Sequence, residues 1–181
     1  MGRDAQFELF IAAVCNNAGL TDILCEEPDV TCTLGGTKYG IAAKRIKSLT
    51  TIEKRVKEGA NQIERARLPG VIALDTCVVL NRENERIITQ MPDGSFGSCY
   101  KKALTLFLDD YHDRIHEWVR GKGVRGLVIH DHQVRMDADG RWSLASMTMA
   151  FHTPGWDQTY DREFEVFIGT YLKGLPNINQ L

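Results

Sequence analysis

Val71 to Leu80 reads Val-Ile-Ala-Leu-Asp-Thr-Cys-Val-Val-Leu, a nearly continuous apolar run rich in valine. A strand with one face in water alternates apolar and polar residues. A run without that alternation suits a strand covered on both faces. Covering both faces takes helices above and below a sheet, so this stretch predicts a layered architecture with a central strand. Pro69-Gly70 stands directly before the run and ends whatever precedes it.

The flanking segments supply the layers. Residues 4 to 18 carry Phe7, Phe10, Ile11 and Val14 on one stripe at helical spacing, with Gly19 as the stop. Asp29 to Leu34 and Lys38 to Ile46, joined at Gly35-Gly36, read as a β-hairpin. Thr50-x-x-Glu53 is a capping-box signature for a helix through about Ala66, with Ile52, Val56, Ala60 and Ile63 as its buried stripe. Asn81 to Ser98 is polar, contains Pro92 and Gly94, and reads as a mobile loop. A long helix is expected from Cys99 to Arg120, with Tyr100, Leu104, Phe107, Tyr111, Ile115 and Trp118 inward. Val124 to Met136 and Arg141 to Phe151 read as strands joined at Asp137-Ala138-Asp139-Gly140. Asp157 to Leu172 fits strand or helix. The fold class is therefore α/β of mixed α+β type: one domain over 1–181, a central mixed sheet flanked by helices.

Composition bounds the function. No apolar run approaches the roughly 18 residues of a membrane span. Met1-Gly2-Arg3-Asp4 is too polar for a signal peptide, so no membrane partner and a cytoplasmic location are expected. Cys15, Cys25, Cys32, Cys77 and Cys99 form no C-x2-C pair, and read as reduced cysteines, not as a disulfide framework or zinc site. The net charge of -2 speaks against a nucleic-acid binder, but Lys44 to Arg67 holds eight bases against three acids. That local field suits phosphate contacts; a charge-laced solvated helix is the alternative.

The chemistry concentrates around Pro28-Asp29 and Ala42-Ala43-Lys44. Side chains alternate along a strand, so positions 42 and 44 share one face. Pro28-Asp29 followed by a hairpin whose second strand ends x-x-Lys resembles the PD-(D/E)xK, or restriction-endonuclease-like, nuclease superfamily. Here the (D/E)xK tripeptide stands as Ala42-Ala43-Lys44. Glu8 matches the glutamate that many members carry on the preceding helix, and Gln62 resembles the helix glutamine of a subset. The match covers residues 4 to about 80 as a motif core, with 99–181 as flanking helix and strands.

The resemblance implies a restriction-endonuclease-like core and metal-dependent hydrolysis of nucleic acid, expected to be DNA, with Mg2+ or Mn2+. It makes Asp29 a metal ligand, Glu8 an auxiliary metal acid, and position 42 the place of a missing metal acid. Lys44 would orient the nucleophilic water or stabilise charge on the phosphate, and Gln62 would fix Lys44 or the metal waters. Lys44, Arg45 and Lys47 would hold the nucleic-acid backbone, with Glu27 a spare acid nearby. Ala42 reads as an acid replaced to silence cleavage or as the mark of a pseudo-nuclease that binds without cutting. Either way this chain is expected to cleave poorly or not at all. Restriction, antiviral defence, homodimerisation and excision from a larger protein are compatible with the superfamily by analogy.

Other residues read as structural. His130 and His132 share a strand face around Asp131, and His112 and His116 lie one helical turn apart, but neither pair has a third ligand at a telling spacing. Trp142 and Trp156 read as core or interface.

Overall fold

A computed structural model describes residues 3–80, 87–88, 93–136, 140, 142–152 and 158–176, with the side chains of 4–80, 104–132, 140, 146–152 and 162–176. Helix α1 (Arg3–Asn17) leads into β1 (Thr21–Leu24) and then the hairpin β2 (Val30–Leu34) and β3 (Thr37–Arg45). A 3-10 turn (Leu49–Thr51) opens α2 (Ile52–Ala66), which crosses over to β4 (Gly70–Asp75) and the short α3 (Cys77–Leu80). Then come β5 (Ile87–Ile88), α4 (Asp93–Val119), β6 (Val124–Met136), β7 (Trp142–His152) and α5 (Gln158–Lys173). The seven strands form one mixed sheet in the order β1-β2-β3-β4-β6-β5, with β7 also paired to β6. β3, β4 and β6 run parallel, whereas β2 is antiparallel to β3 and β7 to β6.

The central strand is β4, buried along its whole length between β3 and β6. On one face of the sheet, Phe7, Ile11 and Val14 of α1 and Phe164, Phe167 and Tyr171 of α5 pack over Ile41, Ala43, Val71, Ala73 and Val128. On the other face, Ile52, Val56, Ala60 and Ile63 of α2 and Leu104 and Ile115 of α4 pack over Ala42, Ile72, Leu74, Leu127 and Ile129. The odd and even positions of β3 and β4 thus feed different cores, as strand parity requires. All four residues of the expected α2 stripe are fully buried. Each of the larger side chains among them contributes about 1.5–3 kcal/mol of burial.

Three expectations about elements are corrected, and one left open is resolved. The apolar run is not one strand to Leu80: β4 stops at Asp75, whose carboxylate is drawn into an ion pair with Arg45 Nε at 2.6 Å, and the chain turns into α3. The capping box at Thr50 is not formed, because a 3-10 turn shifts the start of α2 to Ile52. In that turn the Thr51 hydroxyl donates to the Ser48 carbonyl at 2.7 Å, and Thr50 Oγ1 lies 2.9 Å from Ser48 Oγ. Such local side-chain bonds compete with the helix cap. The long helix begins at Asp93, not Cys99, so the expected loop is shorter at its C-terminal end; β5 interrupts it, and 81–86 and 89–92 lie outside the described residues. The ambiguous tail is helical, because Phe164, Phe167, Ile168 and Tyr171 are its buried positions while Val166 is 56% exposed. That spacing is helical, not alternating. The turn at 137–139, Trp156, and the side chains of Cys99, Tyr100 and Trp142 lie outside the described residues.

Candidate active site at the Asp29 carboxylate

The start of β2 is held by packing. Pro28 is buried against β3, and a Cβ on Gly40 would stand 2.7 Å from Pro28 Cγ. Only glycine there lets the Pro28-Asp29 corner seat on the strand. Asp29 has φ 141, a region that side-chain-bearing residues rarely adopt. Such a conformation carries a cost on the order of 1–3 kcal/mol. Its backbone N–H donates to the Glu26 carbonyl at 2.8 Å. The corner therefore fixes the direction of the carboxylate.

Three donors converge on that carboxylate. Lys44 Nζ lies 2.5 Å from Oδ2, the Ala43 backbone N–H donates to Oδ2 at 2.9 Å, and Gln62 Nε2 donates to Oδ1 at 2.9 Å. Lys44 comes from the end of β3 and Gln62 from α2, 15 and 33 residues from Asp29 along the chain. The Lys44 and Asp29 side chains keep only 11% and 14% of their exposure, so the pair is shielded without being sealed from solvent. Glu8 of α1 belongs to the same neighbourhood. Burial raises its carboxyl above the ordinary value, the Asp29 carboxylate raises it further, and the Lys44 ammonium opposes both. Glu8, Asp29, Lys44 and Gln62 are thus brought together.

Position 42 is in register with this group but points into the core. Val30 faces Ile41 across the hairpin, so one further step sets Asp29 against Ala42. Ala42 is fully buried, and a Cβ added at Gly59 of α2 would lie 3.2 Å from the Ala42 Cβ and 3.3 Å from Ile72 Cγ2. Helix α2 lies directly over the alanine. A longer side chain here meets that helix.

The basic segment carries the ion pairing of a charge-laced helix, one of the two readings its sequence left open. Seven of its eight bases stand in ion pairs: Lys44 with Asp29, Arg45 with Asp75, Lys47 and Arg55 with Asp4, Lys54 with Glu58, Lys57 with Glu53, and Arg65 with Glu27. Arg45 is a poor phosphate contact, because its side chain is 10% exposed and bound to the fully buried Asp75. Lys47, 55% exposed and 3.6 Å from Asp4, is open to solvent. Glu27, the acid next to Pro28-Asp29, accepts from Arg65 Nε at 2.9 Å on the surface.

The histidines sort by neighbours. His130 is buried, donating or accepting at Tyr171 Oη (2.9 Å) and Thr148 Oγ1 (3.0 Å), and burial lowers its pKa to about 4, so it is neutral. His112 and His116 are hydrogen-bonded to each other through Nε2 atoms 2.8 Å apart. His132 has a third neighbour after all: its ring, the Asp75 carboxylate and the Cys77 thiol form a group whose ligand atoms lie within 4.8 Å of one another. No spacing in the sequence announces that group. Among the described residues no helix is long and apolar enough to cross a membrane. No family model, curated protein or solved structure matches the chain.

Proposed function

We propose that this chain is a nuclease scaffold of the PD-(D/E)xK type: a divalent-metal-dependent phosphodiesterase site for nucleic acid, DNA in preference to RNA, lacking one metal carboxylate at Ala42. The observation that carries the reading is the convergence of Lys44, Gln62 and the Ala43 N–H on Asp29, with Glu8 beside it. An acid-lysine pair at the end of β3, steadied by a helix glutamine, is an arrangement suited to phosphodiester hydrolysis.

The residues present fit a hard cation. Asp29 and Glu8 supply carboxylate oxygens, and Gln62 Oε1 is a buried acceptor with no hydrogen-bond partner among the described residues. An all-oxygen donor set of this kind suits Mg2+ or Mn2+, which when bound would neutralise charge on a phosphate and acidify a bound water. Lys44 would stabilise the charge developing on the phosphate, and Gln62 would hold the Asp29 carboxylate in place. Lys47 and the exposed bases of α2 would meet the backbone, since exposed ion pairs are worth only about 0–1 kcal/mol and open readily to a phosphate.

A second reading has its own observation. The two Asp29 oxygens already accept three hydrogen bonds, and the alanine at 42 fits against Gly59 and Ile72, so the same scaffold can bind nucleic acid without cutting. Calorimetry with Mn2+ separates the two. The nuclease reading expects one oxygen-type site in Ala42→Glu, weakened in this chain and lost on Asp29→Asn. Absence of Mn2+ binding by a folded Ala42→Glu protein would leave only the binding module. Salt-dependent DNA binding unaffected by replacing Lys47 and Lys44 would remove both readings.

A further inference from the structure

A second cluster lies on the far side of β3 from Lys44. Arg45, Asp75, His130 and Thr148 occupy one register row across β3, β4, β6 and β7, because Arg45 faces Asp75, Asp75 faces His130, and His130 faces Thr148. Beside that row, where β4 gives way to α3, Asp75 meets Cys77 and His132. One carboxylate oxygen, one sulfur and one ring nitrogen lie within 4.8 Å of one another. Asp75 is fully buried, while Cys77 and His132 are half-buried and reachable from solvent.

We propose that Asp75, Cys77 and His132 form a binding site for a thiophilic divalent cation of the Zn2+ type, with a fourth position open towards the neighbouring cavity. The donor set decides the class of ion. Thiolate and imidazole select Zn2+ and its Co2+ surrogate over Mg2+ or Ca2+, which take oxygen. The carboxylate is already oriented, as ligating carboxylates in metal sites are. Arg45 Nε donates to Oδ2 at 2.6 Å and the Cys77 backbone N–H to Oδ1 at 3.0 Å. The Thr76 N–H donates to the His130 carbonyl at 3.0 Å, which ties the turn carrying Cys77 to the strand carrying His132. His130 is excluded as a ligand, since both its nitrogens have partners in Tyr171 and Thr148.

Three protein donors leave a fourth tetrahedral position, the pattern of sites that keep a coordination place for water or an anion. Arg45 and His132 also line a cavity of about 260 Å³, with Phe10, Gln6 and Ser146 on its other walls. Of the three donors His132 lines that chamber, together with the cationic Arg45 and the acidic Asp131, so an open position on the His132 side of the ion would face it. Binding is balanced by protons: the Cys77 Sγ–H bond breaks as the metal–sulfur bond forms, and one proton leaves to solvent for each ion bound.

This site is independent of the Asp29 reading, and the test keeps them apart. The metal-free protein is titrated with Co2+, and the thiolate-to-cobalt absorption in the near ultraviolet is followed. One equivalent should develop the band, Cys77→Ser should abolish it, and His132→Gln should weaken Co2+ binding on the order of tenfold or more. Asp29→Asn should leave it intact. On the unmodified chain, Zn2+ should protect Cys77 from alkylation while the exposed Cys25 stays reactive, read by peptide mass spectrometry. Cobalt binding with no thiolate band, as the His112–His116 pair would give, overturns the proposal. So does a band that survives Cys77→Ser, or Cys77 alkylation unchanged by Zn2+.

Discussion

Replacing Ala42 by glutamate perturbs packing and chemistry together, and the structure sets the size of both effects. Ala42 has no exposed surface, and α2 approaches so closely that a Cβ on Gly59 would be 3.2 Å away. Adding a longer side chain there overpacks the core by about 1–3 kcal/mol. The added carboxylate loses hydration, worth several kcal/mol if unpaired, but Lys44 on the same strand face can recover part of that. The net expectation without metal is a loss of about 2–4 kcal/mol, combining overpacking with a partly compensated charge. With a urea slope of about 2 kcal/mol/M, the midpoint falls by about 1–2 M. Mn2+ at about a hundred times its dissociation constant should then return about 2.7 kcal/mol. Ala42→Gln supplies the same bulk without the charge and should lose stability but recover nothing. The assay is urea unfolding of both variants with chelator and with Mn2+. Unchanged stability of Ala42→Glu in chelator would refute the packing argument, and equal Mn2+ responses of Glu and Gln variants would refute the metal argument.

Three further outcomes follow from the geometry. Arg45→Ala strands the fully buried Asp75 carboxylate. It should cost about 3–5 kcal/mol by urea unfolding, and a loss below about 1 kcal/mol would contradict the buried pair. His130 titrates at about 4 when folded against 6.5 as its ordinary value, so the unfolded chain takes up the proton first. Stability is therefore full above about pH 6.5 and declines as pH falls towards about 4, by up to about 3 kcal/mol. That decline, measured by unfolding at stepped pH, should flatten in His130→Gln. Gly59→Ala brings a methyl group against Ala42 and Ile72. It should destabilise by about 1–3 kcal/mol, although helix propensity alone would favour alanine by about 1 kcal/mol; a gain in melting temperature would show that α2 can give way.

The motif core was the most readable part of the sequence, for local reasons. Gly35-Gly36 marks the hairpin turn, Pro69-Gly70 stops α2, and the stripe Ile52, Val56, Ala60, Ile63 sets which face of α2 is buried; all are short-range signals. Strand parity alone places 42 and 44 on one face. What parity does not carry is the helix above: that Ala42 is sealed by α2 depends on Gly59, a residue of a different element. The pairing within the basic segment was hidden for the same reason. Its partners Asp4, Glu27, Asp29 and Asp75 lie outside the counted window, and folding brings their charge back into it. The strand end at Asp75 was hidden because a buried ion pair across two strands has no local signature. The Asp75, Cys77 and His132 group is hidden further, since α3 and β6, which carry its last two members, are separated in sequence by the whole of α4.

The central claim, that Asp29 anchors a metal-dependent phosphodiesterase site, meets its most direct test in cleavage of labelled plasmid and oligonucleotide DNA with Mn2+ or Mg2+. The proteins compared are this chain, Ala42→Glu, and Ala42→Glu combined with Asp29→Asn. The account predicts little or no cutting by this chain, metal-dependent cutting by Ala42→Glu, and none by the double variant or in chelator. Cutting by this chain at the Ala42→Glu level, cutting that survives Asp29→Asn, or none by a folded, metal-bound Ala42→Glu would contradict it.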